Sequence, residues 1–277
     1  MHATGWWGPG RWPRAPRLGS AAILVLVLVV VVVAAGCGSD AGQGARLSES
    51  TPTARTGPDL TDADLWLSFE DDRVAYDGST AFPDALGGEF VGRVVTANDG
   101  KVDRVPGVDG TGAAVAFPAR CDAKSGCPRA MVEVAADPEL DPGEEDFEYG
   151  ASVLLAPDQT TKGSNIVQQG RFGAEGGQWK LQVDGDEGEP SCVVRSGATV
   201  LVVSSEVAIA DAGWHHLTCR RDGEGLGISV DGAAEQAQGR TGSVSSALPV
   251  RVGSPGVGNR DDQFHGSIDD VFLRIGP

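Results

Sequence analysis

The chain has 277 residues, with 22 basic and 39 acidic side chains and a formal net charge of −17. A surface this negative repels nucleic-acid phosphates and leaves sugars, cations and basic proteins as compatible partners. Glycine, at 40 residues, runs at about double ordinary usage, and no helix-period apolar run follows the amino-terminal segment, which argues against a helical bundle and for a turn-rich all-β domain.

Arg11, Arg14 and Arg17 precede an unbroken apolar run of fifteen residues, Ala21 to Ala35, and then Gly36-Cys37-Gly38. Basic residues, an apolar core and small residues before a cut point make a secretory signal. The run is short for a bilayer-spanning helix, which needs about 20 residues. Ala34-Ala35-Gly36-Cys37 resembles the bacterial lipobox, with Ala34 where leucine is usual. That resemblance implies removal of residues 1–36, lipidation of Cys37 and a place on the extracellular face of the cell membrane; without use of the lipobox the protein is secreted. Loss of the signal's three arginines leaves 19 basic against 39 acidic residues, a net of −20. Residues 37–63 are small, polar and free of aromatics, so they read as a flexible tether from the lipidated cysteine.

Residues 64–277 carry the fold. Leu65–Phe69 is expected as the first strand, followed by Glu70-Asp71-Asp72. Phe90–Thr96, Ala113–Phe117 and Met131–Ala135 follow as short strands, and Phe147–Leu155 alternates well enough to be central. Ile166–Gln169, Gln178–Asp184, Cys192–Arg195 and Thr199–Ser204 precede two runs around Trp214–Gly232. In that stretch His215, Leu217 and Cys219 share one face, and Trp214, His216, Thr218 and Arg220 the other. Leu226, Ile228 and Val230 line one face of the second run. Asp222–Gly225 supplies the turn of a β-hairpin, and Asp231-Gly232 starts another. Val250–Gly253 and Ser267–Ile275 close the series. Many short strands with turn signals between them predict a β-sandwich of two antiparallel sheets.

The run Trp214-His215-His216, the "RDG" turn, the ending "VDG" and the later Phe264-His265-Gly266-Ser267-Ile268-Asp269-Asp270-Val271 resemble the laminin G-like, concanavalin A-like lectin/glucanase superfamily. The resemblance implies a jelly roll whose first and last strands pair. It is poor for function, since that superfamily includes sugar binders, protein binders, spacers and glycosidases.

Four cysteines remain after Cys37, at positions 121, 127, 192 and 219, and an even count outside the cytoplasm implies disulfides. Three pairings are possible. Cys121–Cys127 closes a short loop with Gly126 and Pro128 for the bend. Cys192–Cys219 staples two strands, worth about 3 kcal/mol by loop entropy, and this pairing is preferred.

Glu139-Leu140-Asp141-Pro142-Gly143-Glu144 fits the E-x-D-x-x-E signature of laminarinase-type glycosidases. Retaining hydrolysis needs its two carboxyls about 5–5.5 Å apart, which a strand supplies, but Pro142 and Gly143 break a strand here. The expectation is therefore no catalytic site. His215 and His216 point to opposite strand faces and cannot share one ion. Calcium takes oxygens from carboxylates and carbonyls on turns. The resemblance implies a site at Glu70, Asp71, Asp269 and Asp270 if the end strands pair, with Asp184 and Asp186 in one acidic turn as a weaker second. For sugar stacking, Trp66 and Trp214 head core strands, which leaves Trp179 as the expected ligand-binding aromatic. The reading is a non-catalytic cell-surface binding module for a glycan, calcium-assisted, with a surface protein as the alternative partner and a structural envelope role as a third.

Overall fold

The alternating apolar runs become strands because each buries one face between two sheets. The computed structural model describes residues 58–75, 78–123 and 125–276. The signal, Cys37 and most of the tether lie outside the described residues. In chain order the strands are β1 (Leu65–Leu67), β2 (Arg73–Val74), β3 (Thr80–Pro83), β4 (Val91–Ala97), β5 (Asp103–Pro106) and β6 (Ala113–Ala116). There follow β7 (Arg129–Val134), β8 (Phe147–Leu154), β9 (Ser164–Gly170), β10 (Gln178–Asp184), β11 (Glu189–Ser196) and β12 (Thr199–Ser204). The last are β13 (Trp214–Arg221), β14 (Gly225–Val230), β15 (Ala233–Gln238), β16 (Val250–Val252) and β17 (Ser267–Ile275).

One sheet runs β15-β14-β13-β8-β17-β6-β5, with β1 beside β17; the other runs β12-β11-β10-β9-β16-β7-β4-β3-β2. Neighbouring strands pair antiparallel, which makes the expected jelly-roll sandwich. The first and last strands meet as anticipated, with Leu65 opposite Leu273 and Trp66 opposite Phe272. Four strands went unforeseen, namely β2, β3, β5 and β15. Of these β15 reads AAEQAQ and is exposed along most of its length. An edge strand need not alternate, because it has little apolar face to bury.

The core lies between the sheets. Tyr149 of β8 packs on Trp179 of β10, ring centroids 4.8 Å apart, and Phe147 stacks on Tyr149. The Tyr149 hydroxyl lies 3.3 Å from the carbonyls of Lys180 and Val193, and burial pushes its pKa up. Both preferred disulfides are present. Cys192 of β11 reaches Cys219 of β13 with Cα atoms 5.8 Å apart, so this bond ties one sheet to the other rather than joining sheet neighbours. Cys121–Cys127 closes its short loop.

Two local features shape the outer face of the first sheet. The register of β17 against β8 shifts between Asp269 and Phe272, and Asp270 sits at φ 46°. This bulge keeps Ile268, Val271 and Leu273 in the core and turns Asp269 and Phe272 to the outer face. The second feature is the turn between β14 and β15, where Asp231 and Gly232 have φ values of 51° and 88°, the left-handed pair that a two-residue hairpin requires.

Candidate functional site

A cavity of about 590 Å³ opens on the outer face of the first sheet, at the end where β13 begins. Its floor is Ser152 of β8 and His216 of β13, which stand opposite each other in register. One wall is Val108 and Asp109, in the 3-10 turn Val108–Gly110, and the other is the Asp231-Gly232 turn. Trp214 and the preceding bend, with Asp211 and Gly213, complete it. Trp214 is half-buried.

His216 stacks on Phe272 at 6.2 Å, nearly parallel, and lies 3.4 Å from Ser152 Oγ and 3.3 Å from Thr218 Oγ1. Burial lowers its pKa, and the nearby Asp231 charge offsets this only in part. His215 stands at the opposite strand face. Its Nδ1 lies 2.8 Å from Asp231 Oδ2 and its Nε2 lies 3.0 Å from Asp211 Oδ1. Both contacts are donated only when the ring carries two protons. The hydrogen bond from His215, and then one from the Gly213 amide, hold the Asp211 carboxyl below its ordinary pKa. Asp231 Oδ1 also accepts from the His216 backbone N–H at 2.9 Å. The imidazole therefore fastens the bend before β13 to the turn after β14.

The 3-10 turn is held over the sheet by Asp269, whose Oδ2 accepts from Val108 N at 3.3 Å. Burial, and then the charge of Asp270, push the Asp269 carboxyl up to about 7. Asp270, also raised by burial, accepts from the Trp66 indole at 2.9 Å. Glu70 accepts from Ala113 N at 3.2 Å and adds negative charge to both aspartates.

The residues that the sequence singles out fall differently in the fold. Trp179 is fully buried and its indole donates to Gln169 Oε1 at 3.0 Å, so it cannot stack on a ligand. The alternation of β10, with Trp179, Leu181 and Val183 apolar against Lys180, Gln182 and Asp184, puts it on the inner face, a signal that the sequence itself carries. Trp214, expected in the core, instead lines the cavity. Asp141 accepts from Gln169 Nε2 and Ser246 N, Glu139 and Glu144 are exposed, and the segment is a 3-10 turn at Pro138–Leu140 rather than a strand.

Residues 142–273 match the family model Laminin_G_3, described as the concanavalin A-like lectin/glucanases superfamily. The fold is concanavalin A-like. Among solved structures, the concanavalin A-like domain resembles domain 4 of AbnA, a GH43 extracellular arabinanase from Geobacillus stearothermophilus, in complex with arabinotriose. That similarity has 14% identity and a TM-score of 0.54, and covers 78% of this chain and 93% of the other. It also resembles the binding domain of Botulinum neurotoxin DC in complex with rat synaptotagmin II, at 12% identity and a TM-score of 0.52 over 78% of this chain. The same toxin domain in complex with SialylT matches at 13% and 0.50 over 77%. The match spans about half of each toxin domain, at 49% and 47%. No curated protein matches the chain in sequence.

The concanavalin A-like domain does bring Glu70, Asp269 and Asp270 within range of one another's charge, as the pairing of its end strands implies. Their oxygens, however, turn onto backbone amides and the Trp66 indole, and Asp71 stays exposed outside the group. In the second acidic turn Asp184 Oδ2 is taken by Gln182 Nε2 and Ser191 Oγ, and Asp186 is exposed. Among the described residues, no group of three or more His, Cys, Asp or Glu side chains is arranged to hold a metal ion. These side chains do not fit a preformed calcium cage.

Proposed function

We propose that the protein is a non-catalytic binding module that takes a glycan in the cavity at Trp214. The observation that carries this reading is the cavity itself, in which a half-buried indole adjoins hydroxyl, imidazole and carboxylate groups. An aromatic face covers the apolar face of a sugar ring, and the surrounding acceptors take its hydroxyls. The likeness to a domain in complex with arabinotriose, and to toxin binding domains, supports a binding role for the fold. A lipid anchor at Cys37 would display the module on the outer face of the membrane.

The test is a glycan array with the purified protein, wild type and Trp214→Ala, each with calcium and with chelator. Binding to a defined sugar that Trp214→Ala abolishes supports the proposal. Loss on chelation would add the assisting ion expected at Glu70, Asp269 and Asp270, and unchanged binding would remove calcium from the account. Silence across the array, or binding that ignores Trp214, refutes the sugar pocket. A protein partner is the second reading, favoured by the exposed Phe172 and by Val200 and Val202 on the edge strand β12.

A further inference from the structure

The charge of the cavity narrows its ligand. Asp109, Asp211 and Asp231 line it, and among the described residues that do so there is no lysine or arginine. The titratable groups facing them are His215, between Asp211 and Asp231, and His216, whose pKa burial lowers. Three carboxylates against one imidazole leave the cavity negative whichever state His215 adopts. A bare metal ion is a poor match, because the imidazole ring stands between two of the three carboxylates and the described side chains make no metal-binding group. A cation carried on an organic ligand suits this layout better. Its charge need not be gripped by converging oxygens, and an ammonium is also attracted to the face of an indole.

We propose that the cavity takes an amino sugar, one with a free protonated amine, in preference to a neutral sugar, and rejects sugars bearing acid groups. This rests on the glycan reading above. Trp214 supplies the ring-stacking surface, Ser152 and the turn backbones meet hydroxyls, and Asp109 and Asp211 at the rim attract the ammonium. Asp109 is exposed, and Asp211 has 64% of its side chain accessible. Exposed charges act through water, so the amine adds roughly fivefold in affinity rather than a thousandfold.

The experiment compares three trisaccharides on one β-1,4-glucan backbone by calorimetry at pH 6. They are the free-amine chitosan trisaccharide, cellotriose and the C6-oxidised triuronate. The amine form should bind roughly fivefold tighter than cellotriose, with the triuronate weakest, and the amine advantage should shrink at about 0.5 M salt as screening shortens. Asp109→Asn should reduce that advantage, read as the ratio of amine-form to cellotriose affinity in the same variant. Asp109 sits at φ 56°, a left-handed conformation that asparagine tolerates, so the variant folds. Trp214→Ala should abolish all binding, which separates the cavity from diffuse attraction to an acidic surface. Equal affinity for all three sugars, a preference for the triuronate, or amine binding that survives Trp214→Ala overturns the inference. In the first two cases the glycan reading stands, provided Trp214 is needed. If none of the three binds while a different sugar on the array does, the amine inference alone fails; if no sugar binds at all, both fail.

Discussion

Replacing Asp269 by asparagine should make the protein more stable at pH 8 than the wild type and equal to it near pH 4. Burial, the Asp270 charge and the Glu70 charge push the Asp269 carboxyl from 3.8 up to about 7. Between those two values the folded state holds a proton that the unfolded state releases, so this group's contribution to stability falls as pH rises from about 4 to 7. Three pKa units correspond to about 4 kcal/mol as a ceiling. Asp269 is only 4% exposed, and relaxation of the fold around a buried charge reduces the figure to roughly 1–2 kcal/mol. His216 and His265 have lowered pKa values and pull the other way, since the unfolded chain gains their protons as pH falls below 6.5. The informative quantity is therefore the difference between variant and wild type. Asparagine imitates the protonated acid, so that difference should be near zero in acid and grow above pH 6. Urea unfolding followed by tryptophan fluorescence at pH 4.5, 6 and 8 measures it, with a midpoint shift on the order of 0.5 M at pH 8. A difference independent of pH, or a variant that weakens as pH rises, would refute the desolvation argument and show that the carboxylate stabilises the bulge.

Trp179→Phe should cost about 1–3 kcal/mol in the same assay, because the buried Gln169 oxygen loses its donor; ligand binding by the folded fraction should not change, and a loss of binding would return Trp179 to the site. Cys192→Ala with Cys219→Ala should lower stability by about 3 kcal/mol, as read from urea midpoints, through a freer unfolded chain and the loss of the tie between sheets.

The sequence by itself determined the sandwich, because period-two alternation in β8, β10, β13 and β14 admits few alternatives to two sheets with a shared core. It also determined the pairing of the end strands, through the residues resembling a known superfamily, while the four cysteines left three pairings open, of which the structure has the preferred one. It could place His215 and His216 on opposite faces, since that depends only on neighbouring positions in a strand. The face of each tryptophan was legible as well: Trp179 alternates with Leu181 and Val183 and so belongs inside, whereas Trp214 shares its face with His216, Thr218 and Arg220. The cavity above that outer face was another matter. The cavity joins residues 109, 152, 211, 214 and 231, which come from four separate stretches of the chain. Their meeting depends on the β17 bulge, on Asp269 fastening the 3-10 turn over the sheet, and on His215 joining two loops. Each of these is a contact between distant segments, and periodicity, a local property of the chain, carries no record of them.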